Sequence, residues 1–204
     1  MTVSVSGTSA SDTTRLVAAG DDGSGDDYTV DATVTDSFDK TASAADSVEE
    51  GEPTTREPYT DHDLAQVAAE DFDTGGEGVA YHDTSDGNKG GAYRDTDVDI
   101  QQTEDSSGDY NVGWIREGEW WEYTVDVPSD GDYDLSVRLA GKNDTSLDVA
   151  VDDSRVATVD VPDTGGWQDW TTVEAGTVTL TAGTHTVRLT ANGKDFNINW
   201  FGFE

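Results

Sequence analysis

The second half of the chain alternates between apolar and polar residues in several short segments. In WWEYTVDVP (120–128), one face would carry Trp121, Tyr123, Val125 and Val127, and the intervening polar residues would point the other way. The same period of two recurs in YDLSVRLAG, LDVAV, TVTLTAGTHTVRLTANG and FNINWFGF. Short strands with one apolar face, separated by turns rich in Gly and Asp, predict an all-β fold in which two sheets pack as a β-sandwich.

The composition of the chain changes near residue 65. Residues 1–64 are rich in Asp, Ser, Thr, Ala and Gly, whereas all six tryptophans lie beyond them. The segment 27–48 alternates well enough for a β-hairpin, and 49–63, with its prolines and acids, is typical of an extended linker. We therefore expect an acidic spacer or linker over 1–64 and one β domain over 65–204. The best candidate for a helix is the short segment 62–72, which crosses the boundary between them.

The charge balance limits the possible partners. The chain has 44 acidic and 11 basic residues, a net charge of −33, and this field repels nucleic acid and anionic membranes. An acidic surface poor in lysine is typical of halophilic proteins, so we expect the fold to loosen in low salt. The chain has no cysteine, and neither a membrane-spanning apolar run nor the pattern of a signal peptide is found in it.

The stretch TGGWQDWTT (164–172) contains two tryptophans that cannot share one face of a strand, because they are three residues apart. Trp170 alternates into the following WTTV segment, which predicts a core position. Trp167 follows two glycines, which suit a loop with unusual backbone angles, so it is a candidate for a binding site.

Alternation also assigns faces to residues in two other segments. It places Trp114 on the same face as Val112, which predicts the core, and it places Trp200 with the apolar residues Phe196 and Ile198. Asn197 and Asn199 would then share a face with Phe201 and Phe203. Buried amides need hydrogen-bond partners, so these asparagines either bind backbone groups or serve a site.

Five segments, in order, resemble a carbohydrate-binding module of family 6. They are AAEDFDTGGEGVAYHDTSDGNKGGAYRDTDVDI (68–100), YNVGWIREGEWWEYTVDVP (110–128), VPDTGGWQDWTT (161–172), LTAGTHTVRL (180–189) and FNINWFGFE (196–204). The resemblance implies a jelly-roll β-sandwich that binds β-glucan, xylan or agarose without catalysis. It further implies an extracellular, monomeric module that targets an attached or partner enzyme, such as a secreted glycoside hydrolase, to polysaccharide.

The resemblance also implies a sugar site formed by Trp114, Trp167 and Asn197. Aromatic faces bury the apolar C–H face of a pyranose, and an amide both donates to and accepts from its hydroxyls. The family commonly holds a structural calcium, for which the matching ligands are Glu70 and Glu204. A further ligand position of the family is Ala68 here, so the site would be either weakened or completed by water.

Two other functions remain open from the sequence. A small jelly-roll glycanase or lyase would need a positioned pair of carboxylates such as Glu119 and Glu122, but such pairs arise by chance at this acid density. A cation-binding repeat of the cell surface would instead bury Trp114 and Trp167. Separately, 27–48 resembles the last two strands of an immunoglobulin-like polycystic-kidney-disease-type repeat.

Overall fold

The structure is a computed structural model that describes residues 28–35, 41–48 and 55–204. Strands β1 (Tyr28–Thr35) and β2 (Thr41–Val48) pair antiparallel, from Tyr28 opposite Val48 to Thr35 opposite Thr41. The hairpin predicted over 27–48 is therefore confirmed as a pair of strands. The other residues before 55 lie outside the described part of the chain.

Two antiparallel sheets form the β-sandwich of residues 67–203, as the alternation predicts. Its strands are β3 (Val67–Ala68), β4 (Tyr81–His82), β5 (Ile100–Gln102), β6 (Tyr110–Val112), β7 (Trp120–Val127), β8 (Gly131–Gly141), β9 (Thr145–Val151), β10 (Ser154–Val161), β11 (Thr171–Leu180), β12 (Gly183–Ala191) and β13 (Phe196–Phe203). One sheet has the order β10-β9-β12-β7-β4, and the other has β11-β8-β13-β6-β5 with β3 beside β13.

Helical structure is minimal in the described residues. The segment 62–72 forms strand β3 and a 3-10 helix, Ala69–Asp71, rather than an α-helix. No helix in the described ranges is long and apolar enough to cross a membrane.

The core lies between the two sheets and follows the predicted phase on most strands. Trp121, Tyr123, Val125 and Val127 of β7 are each at most 3% exposed, and the alternating apolar residues of β8 and β9 are buried with them. Full burial of one such side chain contributes about 1.5–3 kcal/mol relative to leaving it exposed. The apolar residues that alternate in the sequence therefore form most of the core that stabilises the sandwich.

Strand β13 changes phase halfway along. Its pairing with β8 is shifted between Ile198 and Trp200, so the intervening Asn199 is an extra residue, as in a β-bulge. Phe196 and Ile198 point into the core before the bulge, and Phe201 and Phe203 do so after it. The core position predicted for Trp200 is wrong because a one-residue shift exchanges the faces of a strand. Its indole is partly exposed, and Nε1 donates to Ser107 Oγ at 3.0 Å.

The described end of the predicted linker lies against the sandwich. The backbones of Glu57 and Thr74 exchange two hydrogen bonds, of 3.0 and 2.8 Å. The guanidinium of Arg56 reaches the buried carboxylates of Asp73, at 3.2 Å, and Glu122. Arg56 also donates to Thr186 Oγ1 on β12, so one side chain joins the segment before the sandwich to both β7 and β12.

Candidate functional site

The side chain of Trp114 does not point into the core, because strand β6 ends before this residue. The N–H of Gly113 donates to the Asp99 carbonyl at 2.9 Å, and Trp114 then adopts the left-handed conformation, with φ of 50°. For a residue other than glycine, this conformation costs about 1 kcal/mol or more. The indole is 45% exposed, while the following Ile115 returns to the core at 1%. The core position that alternation predicts for Trp114 is therefore wrong.

Trp167 lies in the loop between β10 and β11, as the glycines before it predict. Gly165 has a φ of 94°, and a Cβ on Gly166 would lie 2.6 Å from Asp169 Oδ2, so neither position accommodates an ordinary side chain without strain or movement. The indole of Trp167 is 49% exposed. The Lys142 ammonium lies 4.4 Å from its ring centroid, a cation–π contact that restrains the exposed ring.

Trp170 is not the core residue that the alternation predicts. It is only half-buried, immediately before β11 begins, and its Nε1 donates to Gln168 Oε1 at 3.1 Å. Because this nitrogen binds a loop side chain, the indole lies over the loop rather than between the sheets. Both tryptophans of the stretch therefore lie at the surface of the loop, one on each side of Gln168 in the sequence.

Gln168 is a central residue of this loop that the sequence interpretation overlooked. Its Oε1 also accepts from the Glu104 N–H at 2.8 Å and from Thr103 Oγ1 at 3.3 Å. Its Nε2 donates to Oδ1 of the fully buried Asn111 at 3.1 Å. In the sequence, the only indication of this role is that an amide residue lies between two tryptophans. In the structure, the hydrogen bonds of Gln168 fix the β10–β11 loop against the β5–β6 loop.

Trp114 and Trp167 line one cleft of about 910 Å³ at the loop edge of the sandwich. Both indoles are about half exposed, so each presents apolar ring surface to this cleft. Apolar and polar side chains both contribute to the lining. The lining comprises Thr84, Gln101, Trp114, Ile115, Arg116, Glu117, Trp167, Gln168, Lys194, Asp195, Phe196 and Asn197.

Asn197, the third residue of the expected sugar site, also lines this cleft, and it holds the loop. It is 2% exposed, and its Nδ2 donates to the Trp167 carbonyl at 2.6 Å. Its Oδ1 accepts no hydrogen bond from the described residues and faces Gly113, where a Cβ would approach to 3.0 Å. The structure therefore brings Trp114, Trp167 and Asn197 together, with one amide oxygen still free to accept.

Glu119 and Glu122 are held in structural hydrogen bonds. Glu119 accepts from Thr84 Oγ1 at 2.7 Å and from the Arg116 N–H at 2.9 Å. Glu122 binds Arg56 and, at 2.5 Å, Arg188. Both are 2% exposed and neither lines the cleft, so they do not form a free acid and base facing a bound sugar.

Glu70 is a buried carboxylate without a partner for one oxygen. It is 5% exposed, burial raises its pKa to about 8, and its Oε2 has no hydrogen-bond partner among the described residues. Glu204 is exposed at the end of β13, and its backbone exchanges two hydrogen bonds with Asp134. Residues 55–204 contain no group of three or more His, Asp or Glu side chains placed to hold a metal.

The fold and the site together, two packed sheets with an aromatic cleft among their loops, are typical of β-sandwich carbohydrate-binding modules. The sequence model of carbohydrate binding module family 6 matches residues 90–204, and the chain belongs to this family. Modules of the family bind polysaccharide and are typically non-catalytic, which confirms the fold and the function that the five segments imply.

Solved modules of the same family share the fold. The module from lichenase 5A of Cellvibrio mixtus, solved with cellotriose, is 32% identical with a TM-score of 0.52 over 69% of this chain and 96% of its own. The C-terminal module of LamC, a marine laminarinase from Zobellia galactanivorans, is 29% identical with a TM-score of 0.52, over 67% and 94%. A β-1,3-glucan-binding module from Bacillus halodurans is 27% identical with a TM-score of 0.51, over 70% and 99%.

Curated relatives match over a small part of their own length. The clotting factor G alpha subunit of Tachypleus tridentatus is 36% identical over 107 residues, which are 50% of this chain and 16% of the relative. The β-agarase AgaO of Microbulbifer thermotolerans is 33% identical over 98 residues, 44% of this chain and 8% of the enzyme. The chain thus spans less than a fifth of the length of these two relatives.

Proposed function

We propose that the cleft between Trp114 and Trp167 is the polysaccharide-binding site of this module. The observation that carries the proposal is that two indoles, 45% and 49% exposed, line one cleft although both are large apolar side chains. Exposed indoles gain free energy when a ligand with an apolar face covers them, and a pyranose has such a face. A sugar ring between the two indoles would bury both at once.

Asn197 would orient the bound sugar. Its Nδ2 is already engaged by the Trp167 carbonyl, so its free Oδ1 would accept a hydrogen bond from a sugar hydroxyl. The amide would then connect the ligand to the loop that carries Trp167. Sugar hydroxyls are well solvated before binding, so the net gain is small and the affinity modest.

The polysaccharide classes follow from the relatives. One solved relative holds cellotriose, another binds β-1,3-glucan, and agarases carry related segments. Together they support a ligand of the β-glucan or agarose type, while xylan is proposed from the family resemblance alone. Because these relatives include longer enzymes, the module would bring an attached or partner enzyme to its substrate outside the cell.

The test is binding to a polysaccharide panel by affinity electrophoresis and calorimetry, combined with an assay for new reducing ends. A binding module gives retention without new reducing ends, whereas a glycanase or lyase cleaves the polysaccharide. Retention by none of the polysaccharides would overturn the proposal. A cation-binding surface repeat is disfavoured because it would bury Trp114 and Trp167, which are both about half exposed.

A structural calcium at Glu70 is a separate proposal. The support is the buried Glu70 carboxylate, whose Oε2 has no hydrogen-bond partner in the described part of the chain, because a cation would supply the missing partner. Backbone carbonyls and water would complete the oxygen ligands that calcium requires. Glu204, the second ligand that the resemblance implies, lies beside Asp134, and Phe203 before it bonds to Leu64, six residues before Glu70. Ala68 offers no side-chain oxygen, so a weak site is expected.

A further inference from the structure

A second cleft, of about 630 Å³, adjoins the first and is open to solvent. It lies between the β5–β6 loop and the β10–β11 loop, and Gln168 lines both clefts. Trp167 lines the first cleft, Trp170 lines the second, and Gln168 lies between the two clefts. Since the two tryptophans are three residues apart, at most about 11 Å of chain separates them.

The walls of the second cleft are held by hydrogen bonds. Arg138 donates to both carboxylate oxygens of Asp105, at 2.6 and 3.0 Å, and this interaction lowers the pKa of Asp105 to about 2. Asp105 also accepts from Asn199 Nδ2 at 2.9 Å, which joins the loop to the bulge of β13. Gln168 binds the N–H of Glu104 at 2.8 Å, so both loops are positioned before any ligand arrives.

Two carboxylates in the second cleft remain free to accept hydrogen bonds. The exposed carboxylates of Glu104 and Asp169 make no hydrogen bond or ion pair with the described residues. Ionised carboxylates accept and cannot donate, so they fit a ligand rich in hydroxyl donors and repel an anionic one. A partly exposed indole beside these acceptors is a surface suited to a neutral sugar.

We propose that the second cleft continues the sugar site, so that one neutral glycan chain lies across Trp114 and Trp167, passes Gln168 and continues along Trp170. Glu104 and Asp169 accept hydrogen bonds from hydroxyls of this second portion. The inference rests on the proposed function, because it extends the same bound chain. With this extended site, the module binds internal segments of a polysaccharide chain rather than its ends.

The experiment is calorimetry with oligosaccharide series of increasing length from cellulose, laminarin, xylan and agarose. The proteins are the wild-type chain, the double variant Glu104→Ala/Asp169→Ala, and the control Asp160→Ala, which removes an exposed acid from β10 in the other sheet. The double variant spares Trp170, whose loss would disturb Gln168. Circular dichroism and the melting temperature verify that the variants are folded.

The expected result is a wild-type affinity that rises from trisaccharide to hexasaccharide. The double variant should bind the trisaccharide as the wild type does but the hexasaccharide about fivefold more weakly, and the control should match the wild type throughout. Length-independent wild-type binding, or an equal effect of the double variant on short and long ligands, overturns the extended site alone. If no series binds to the wild-type chain, the proposed function falls together with it.

Discussion

The side-chain nitrogen of Asn197 donates to the backbone oxygen of Trp167 across 2.6 Å, joining β13 to the β10–β11 loop. Asn197 is almost fully buried, whereas the indole of Trp167 is half exposed. The exposed aromatic residue is thus positioned by a buried amide on a strand of the sandwich. This arrangement gives the loop a fixed geometry, which lowers the entropy lost when a ligand binds.

Replacement of Trp167 by alanine should abolish retention by the polysaccharide that binds the wild-type chain. The half-exposed indole packs little against the core, so the free energy of unfolding should change by less than about 1 kcal/mol. Affinity electrophoresis and thermal unfolding measure the two effects. Undiminished retention by a folded Trp167→Ala variant would contradict the assignment of the cleft.

Asn197→Ala should weaken both the loop and the binding. The variant leaves the Trp167 carbonyl without its buried partner, which costs about 1–3 kcal/mol of folding free energy, and it removes the free acceptor Oδ1. Chemical denaturation measures the first effect and calorimetry the second. Asn192→Ala is the control, since Asn192 is an exposed asparagine bound to Ser146 Oγ, and it should leave sugar affinity unchanged. Equal behaviour of the two variants would argue against the role of Asn197.

Alternation of residue types predicts the strands and most of the core, because both sheets bury one face. It does not predict the phase change of β13, since a one-residue bulge at Asn199 depends on pairing with β8. It also misses the left-handed turn at Trp114, which ends β6 and turns the indole outward. The resemblance of NVGWI to a family motif, rather than the period, predicts the exposure of that residue. Gln168 was overlooked because its importance lies in partners from two distant loops.

Arg56→Ala should destabilise the sandwich although residue 56 lies before the segment matched by the family. Removal of the guanidinium leaves the buried carboxylates of Asp73 and Glu122 with fewer partners, at a cost of about 3 kcal/mol. Denaturant unfolding measures the change. Arg155→Ala is the control, because the Arg155 side chain is 67% exposed and its ion pair with Asp148 should contribute less than about 1 kcal/mol. An equal loss of unfolding free energy in the two variants would show that the contacts of Arg56 with Asp73 and Glu122 contribute no special stability.

The melting temperature should rise with salt. A chain with 44 acidic and 11 basic residues repels itself, and the distance over which charges act falls from about 30 Å at 0.01 M salt to about 3 Å at 1 M. Thermal unfolding in increasing potassium chloride measures the effect, and sodium chloride is the control for a specific cation. A melting temperature independent of salt would contradict the expectation of halophilic behaviour.

Calcium should stabilise the protein through Glu70, and more strongly as the pH rises. Burial raises the pKa of Glu70 from 4.5 to about 8, so without calcium its contribution to stability is complete below pH 4.5 and declines as the pH rises through 8. Glu70→Gln should remove this decline and also the gain from calcium, because calcium binds the ionised carboxylate. Thermal unfolding at pH 5 and pH 8, with calcium or with a chelator, measures the four cases; Glu174→Gln, which alters an exposed acid on β11, is the control. A calcium response that persists in Glu70→Gln would place the cation elsewhere on this acidic surface.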